Sequence, residues 1–374
     1  MEKYFLGSNT RSGFKGYYEE TTGEIGRVYL LKGGAGTGKS SLIKKVMKQG
    51  VERGFDCEAW HCSGDPNSLD GVYISALDVA VIDATSPHAV EPKIPSVKDD
   101  IINLLQCVSK DKIKGYRSVI EKLANSKKEC YSNGYEHLNI AFCHMAQNLR
   151  AVSSSMNTSL IILKAREFAM DLLSELKCLN DDKIEGSEGV KSADDIGEMS
   201  RDSGVKGRVV KRFFRAITPD GIVVYDDHLK GKTIWHIRGE VVSVDLFLRT
   251  ALDIVKESVK GVNEGLVIFS NPLEASLIDG FMIGDIVVAG YLESSDGAMV
   301  YDLRWYEGDF DKYALSRAKT KMKDEIDIAV DYFAKARGVH LGIERYYISA
   351  MDFDRVNEMT DRLIDEIFEL KALE

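Results

Sequence analysis

Gly33-Gly-Ala-Gly-Thr-Gly38-Lys39-Ser40 fits the spacing G-x-x-x-x-G-K-[ST]. The chemistry this suggests is the holding of a polyphosphate. Glycines let the backbone curl so that successive N–H groups point inward and cradle phosphate oxygens. Lys39 would reach the β- and γ-phosphates, and the Ser40 hydroxyl would coordinate Mg²⁺. The predicted nucleotide contacts are Gly33, Gly34, Ala35, Gly36, Thr37, Gly38, Lys39, Ser40 and Ser41. A helix leaving the loop would direct its positive N-terminus at the anion.

Asp83 closes the apolar run Val79-Ala-Val-Ile82. A carboxylate at the tip of a neighbouring strand would share the Mg²⁺ with Ser40, usually through water. The next residue is Ala84 rather than Glu, so the carboxylate pair typical of AAA- and RecA-like motors is missing. Thr85, Ser86 and His88 follow at the same rim, where ligands bind in open α/β sheets. His88 is a candidate to sense the γ-phosphate or hold the attacking water; its plain alternative is a surface loop histidine. Asp65 is a candidate base or substrate contact. Asp70 reads as a fold position, as do Thr10, Gly13 and Asp78.

These side chains need a scaffold. Arg27–Lys32 is a short apolar run stopped by glycines and reads as a buried strand. Leu42, Ile43, Val46 and Met47 at helical spacing predict a helix from Lys39 to about Glu52. Asp56–His61 and Asp78–Ile82 read as further strands, an α/β pattern with a parallel sheet. From about 97 to 179 the chain is expected to form several helices, a hairpin or small bundle. The stretch from about 180 to 206 is rich in Gly, Ser, Asp and Glu and reads as a linker.

After the linker the pattern restarts. Strands are expected at Thr233–Arg238, Gly265–Ser270 and Asp285–Ala289, and helices at Ser243–Val259, Asp311–Arg337 and Asp352–Leu370. Short matches recur in order: Thr10-x-x-Gly13 with Thr218-x-x-Gly221, Leu31-Lys-Gly33 with Ile237-Arg-Gly239, Ser68-Leu-Asp-Gly71 with Leu277-Ile-Asp-Gly280, and Asp78-Val-Ala-Val with Asp285-Ile-Val-Val. This predicts an internal repeat, with one domain over 1–206 and a second over 207–374. Aligned on Gly33 and Gly239, the second copy has Val242 for Gly36, Val244 for Gly38, Asp245 for Lys39, Leu246 for Ser40 and Gly290 for Asp83. A second nucleotide site is therefore not expected.

Composition narrows the function classes. The chain has 374 residues, 44% hydrophobic and 29% charged, with a net charge of −10. No basic stripe offers a nucleic-acid face. No apolar run approaches the ~18 residues of a membrane span, and the N-terminus lacks the apolar core of a signal peptide. Six cysteines without a C-x-x-C pair argue against a zinc site or a disulfide framework and for a reducing cytoplasm.

The chain resembles an uncharacterised bacterial family described only as ATPase-like, with two P-loop-type domains in tandem, each followed by helices. The resemblance rests on Gly7-Ser-Asn-Thr10, Gly13-Phe14, Lys32–Ser40, His61-Cys-Ser63, Ser68-Leu-Asp-Gly71, Asp83-Ala-Thr-Ser-Pro-His88 and Thr218-Pro-Asp-Gly221. It implies an NTP-binding fold and no particular substrate. The first expectation is an Mg²⁺-dependent ATPase that couples nucleotide state to a protein partner through the helical insertion. The others are a small-molecule or nucleotide kinase, and a nucleotide-binding scaffold with negligible turnover. An ATPase often uses an arginine finger, for which Arg11, Arg212 and Arg215 are candidates. No [NT]-K-x-D guanine-reading motif and no LSGGQ signature occurs, so ATP is favoured over GTP and a transporter subunit is disfavoured.

Overall fold

The computed structural model describes residues 1–185, 208–226, 229–258, 265–291 and 298–369. The first half runs β1 (Glu2–Phe5), β2 (Gly7–Thr10), β3 (Gly13–Gly16), α1 (Tyr18–Gly23), β4 (Arg27–Lys32), α2 (Lys39–Glu52), β5 (Cys57–Cys62), β6 (Asp65–Ile74), β7 (Val79–Asp83) and β8 (Asp99–Asn103). Three helices follow: α3 (Lys110–Lys114), α4 (Arg117–Ser153) and α5 (Thr158–Glu185). The second half runs β9 (Val209–Arg212), β10 (Arg215–Thr218), β11 (Gly221–Val224), β12 (Thr233–Arg238), α6 (Val241–Ser258), β13 (Leu266–Ser270), β14 (Ile278–Ile283), β15 (Ile286–Ala289) and β16 (Met299–Asp302), then α7 (Lys312–Ala350) and α8 (Phe353–Glu369).

Among the described residues the strands make two six-stranded sheets of the same order. The first is β1-β5-β6-β7-β4-β8 and the second β9-β13-β14-β15-β12-β16. The repeat read from short matches is thus present as a repeated topology. Each copy adds the same small antiparallel pair, β2 with β3 and β10 with β11. In both, a threonine hydroxyl donates to the carbonyl of a left-handed glycine, Thr10 to Gly13 (2.8 Å) and Thr218 to Gly221 (2.9 Å). The copies meet about a local pseudo-dyad, where Phe5 and Phe213 exchange backbone hydrogen bonds of 2.8 and 2.9 Å.

The sheets are mixed, not parallel as expected. β1–β5, β4–β7 and β4–β8 pair in parallel, whereas β5–β6 and β6–β7 are antiparallel. The strand that breaks the parallel order, β6, was not among those expected. It opens on Asp-Pro-Asn-Ser, which reads as a turn, and its apolar part begins only after Gly71. β8 lies inside the stretch expected to be wholly helical. Helix α5 extends to Glu185, into the expected linker; residues 186–207 of that linker lie outside the described residues. β4 is apolar along its length because it is central and covered on both faces.

The helices that follow each sheet cross to the other half. Ile161, Phe168, Ala169 and Leu172 of α5 pack on Ile237, Phe247, Ile268 and Val288 of the second copy. Val356, Leu363, Ile364 and Ile367 of α8 pack on Tyr29, Leu31, Leu42 and Val72 of the first. Between them α4 and α7 run antiparallel as a long pair, with Gly134 against Phe333 and Leu123 near Gly342. Buried Ala141, Ala329 and Ala336 let the two axes approach closely. The helical region 97–179 is therefore engaged within the chain through α4 and α5.

Candidate functional site

The glycine-rich loop leaves β4 between the ends of β7 and β8. Gly36 (φ 67) and Gly38 (φ 92) take left-handed conformations that a side chain resists. A Cβ on Gly33 would lie 2.4 Å from the Thr37 hydroxyl, which donates to the Gly34 carbonyl at 2.9 Å. Helix α2 starts at Lys39 with Gly38 as its N-cap and no side-chain cap, so no capping side chain competes with an anion for its first amides.

Lys39 Nζ folds back onto the loop, donating to the carbonyls of Gly33 (3.0 Å) and Gly34 (2.7 Å). It lies 3.6 Å from Asp83 Oδ2. The other Asp83 oxygen accepts the Thr85 N–H at 3.0 Å and the Thr85 hydroxyl at 2.5 Å. Ser40 Oγ accepts the Leu69 N–H at 3.0 Å. The loop, Lys39 and Asp83 are thus brought together, and a cation and a carboxylate share one partly enclosed end of the sheet.

His88 belongs elsewhere. It is 7% exposed, edge-on to Phe14 (5.1 Å) and beside Tyr18 (4.9 Å), with Nε2 3.5 Å from Asp70 Oδ2. The γ-phosphate role expected for it has no support in these contacts. The arginine-finger candidates are also committed elsewhere. Arg11 pairs with Glu274, Arg212 with Glu58, and Arg215 with Asp279.

Four side chains that the sequence reading missed, Glu344, Tyr347, Lys127 and His340, gather around the loop. Helix α7 lies over it: a Cβ on Gly36 would meet the Glu344 carbonyl at 2.9 Å, and one on Gly34 the Tyr347 ring at 3.0 Å. Burial raises the pKa of the Glu344 carboxyl, partly offset by the Gly36 amide it faces and by Lys39 and Lys127; Asp65 adds to the rise. Burial lowers the pKa of Lys127, on α4, and Lys39 lowers it further. Lys127 Nζ lies 3.1 Å from His340 Nδ1, and His340 Nε2 lies 3.5 Å from Glu344 Oε1. Burial, Lys127 and Lys39 push His340 down to about 4, so it is neutral at physiological pH and Nδ1 accepts from Lys127. Nothing local in the sequence flags these residues, because each sits mid-helix in a polar stretch far along the chain from residue 33.

The second copy departs from the ungapped alignment. Asp245 Oδ1 accepts the Ile278 N–H (2.7 Å) as Ser40 accepts that of Leu69, and Val244 lies against Gly290 as Lys39 lies near Asp83. The true counterparts of Lys39 and Ser40 are therefore Val244 and Asp245, one residue earlier than the alignment on Gly33 gives. Only Gly239 and Glu240 separate β12 from α6, so helix replaces most of the loop. Buried Glu307 accepts from the Glu240 N–H and the Ser243 hydroxyl. A protein carboxylate thus fills the helix end where an anion would bind.

Among the described residues no helix is long and apolar enough to cross a membrane. No family model, no curated protein and no solved structure matches the chain.

Proposed function

We propose that the first half is a P-loop-type nucleotide site that binds and hydrolyses an Mg²⁺-bound nucleoside triphosphate, ATP by preference. The second half, on this reading, is a copy that keeps the fold and binds no nucleotide. The observation that carries the proposal is the arrangement around Lys39. A strand enters a loop with two left-handed glycines, an uncapped helix leaves it, and Lys39 lies 3.6 Å from a strand-end carboxylate. The uncapped amides suit phosphate oxygens. Ser40 and Asp83 are the oxygen donors that suit a hard divalent cation.

On phosphate binding, Lys39 exchanges its two carbonyl partners for β- and γ-phosphate oxygens. Ser40 and Asp83 would hold the Mg²⁺, which would supply positive charge to offset that on the transferring phosphoryl group. Water then attacks the γ-phosphorus as its bond to the β-phosphate oxygen breaks. Lys127, on α4 and close enough to feel the charge of Lys39, is the candidate second cation in place of an arginine finger. Adenine is favoured because no guanine-reading motif follows the loop.

The test is thermal denaturation with ATP, GTP, CTP and UTP plus Mg²⁺, together with a phosphate-release assay. Binding should raise the melting temperature by mass action. Lys39→Ala should remove both the shift and the turnover while leaving the unliganded melting temperature near wild type. Wild-type hydrolysis by the folded variant would refute the assignment.

A further inference from the structure

We propose that Cys62, Asp70 and His88 form a binding site for a divalent transition metal of the zinc type, with one coordination position left open. The three come from the end of β5, from β6 and from the turn after β7. Their ligand atoms lie within 4.8 Å of one another, and Asp70 and His88 are buried. None of the three ligands belongs to the glycine-rich loop, although Asp70 feels the charge of Asp83 and Cys62 that of Lys127.

The first argument compares the two halves. Both sheets have a register irregularity at the same place, between Trp60 and His61 and between Phe269 and Ser270, and a buried aspartate sits opposite it in each: Asp70 and Asp279. In the second half Asp279 is neutralised by Arg215, whose Nε donates at 2.6 Å, and it accepts from Asn271 Nδ2 at 2.8 Å. In the first half the position of Arg215 is Gly7, where a Cβ would lie 2.3 Å from the Phe14 ring. The position of Asn271 is Cys62. Asp70 therefore lacks the guanidinium of its counterpart and has a thiol and an imidazole in its place. A buried carboxylate without a cation is costly. A divalent metal held by those two groups supplies one.

The second argument is geometric. His88 Nε2 and Asp70 Oδ2 are 3.5 Å apart. That is long for a charge-assisted hydrogen bond, which runs about 2.7–2.9 Å. It is close to the ~3.3 Å between two ligands at tetrahedral angles on one zinc, given bonds of about 2.0 Å. The Gly64 N–H donates to Cys62 Sγ at 3.4 Å, which fixes the sulfur beside Asp70 and His88. The Tyr18 hydroxyl donates to Asp70 at 2.8 Å, the kind of outer partner that orients a metal-bound carboxylate. The His88 ring is fixed by Phe14 and Tyr18, and its Nδ1 is buried without a hydrogen-bond partner. A thiolate with an imidazole selects zinc-type metals over Mg²⁺ or Ca²⁺. The absence of a C-x-x-C pair, which argued against zinc, is no obstacle here, because β5, β6 and β7 bring single ligands together at one sheet end.

Co²⁺ titration of the full-length protein under chelator-buffered conditions tests the site. The expected result is one equivalent bound, with a sulfur-to-cobalt charge-transfer band and the visible bands of a four-coordinate ion. Cys62→Ser should abolish the charge-transfer band, and His88→Gln should weaken binding by about tenfold or more. No uptake by folded wild type, or a sulfur band that survives Cys62→Ser, would overturn the proposal. A His88 imidazolium paired with Asp70 alone would give the first of these results. Should the variants fail to fold, X-ray absorption on zinc-loaded wild type decides: one sulfur at about 2.3 Å supports the site, and a shell of nitrogen and oxygen alone refutes it.

Discussion

Glu344→Gln should make the glycine-rich loop a better nucleotide site. The Glu344 carboxylate faces the Gly36 amide, one of the N–H groups a phosphate needs. Two unit charges at ~4 Å repel by about 4 kcal/mol at an effective dielectric constant of ~20. The side chain is 28% exposed, and Lys39 and Lys127 stand beside it. Solvent and these cations reduce the net penalty to about 1.4 kcal/mol, or roughly tenfold in affinity. The assay is a fluorescence titration with a non-hydrolysable ATP analogue and Mg²⁺, run over a pH series on both proteins. The ratio of wild-type to variant Kd cancels protonation of the nucleotide itself. Because burial raises the Glu344 pKa above its ordinary value of 4.5, the ratio should be about ten near neutral pH and fall towards one as acid protonates the carboxyl. The same shift has a stability consequence. The folded state binds this proton more tightly than the unfolded state, so Glu344 weakens the fold above its folded pKa, and the penalty is gone below 4.5. The variant should therefore melt higher than wild type near neutral pH and alike in acid. A ratio of one near neutrality, or one that does not change with pH, would refute the reasoning.

Asp83→Asn should weaken Mg²⁺-nucleotide binding about tenfold more than metal-free binding; equal losses would make Asp83 a strand-end residue that only positions Lys39. Titration with a non-hydrolysable analogue should give one nucleotide per chain, because Glu307 fills the corresponding helix end in the second half. A second equivalent that survives Lys39→Ala would exclude that account. Gly134→Ala would place a methyl 2.5 Å from the Phe333 ring. The clash should outweigh the gain in helix propensity and cost about 1–3 kcal/mol, read as a lower melting temperature; a rise would mean that α4 and α7 pack loosely.

The repeat was legible because turn positions are written in residue types. Thr10-x-x-Gly13 and Thr218-x-x-Gly221 make the same hydroxyl bond around a left-handed glycine. The buried apolar strands β4, β7 and β15 were legible for a similar reason, since apolar runs bounded by Gly or Asp have few other readings. β6 and β14 were missed because polar residues open each of them or stand beside the bulge. The off-by-one counterpart of Lys39 came from aligning through a loop that the second half replaces with helix, where sequence offset stops tracking position. The covering residues Lys127, His340 and Glu344 depend on which helix packs over which sheet. Amphipathic spacing marks a buried face but does not name its partner.

The exchange of helices between the halves has a consequence for synthesis. A chain emerging from the ribosome completes its first sheet early, yet the apolar face around Tyr29, Leu31, Leu42 and Val72 stays uncovered until Val356–Ile367 has been made. The nascent protein must therefore carry an exposed hydrophobic surface through most of its translation, a condition that invites aggregation or chaperone capture. The same order delays Tyr347 and Glu344, so the glycine-rich loop gains its cover only near the end of translation. Expressed alone, residues 1–185 should be insoluble, and co-expressing the second half should rescue them.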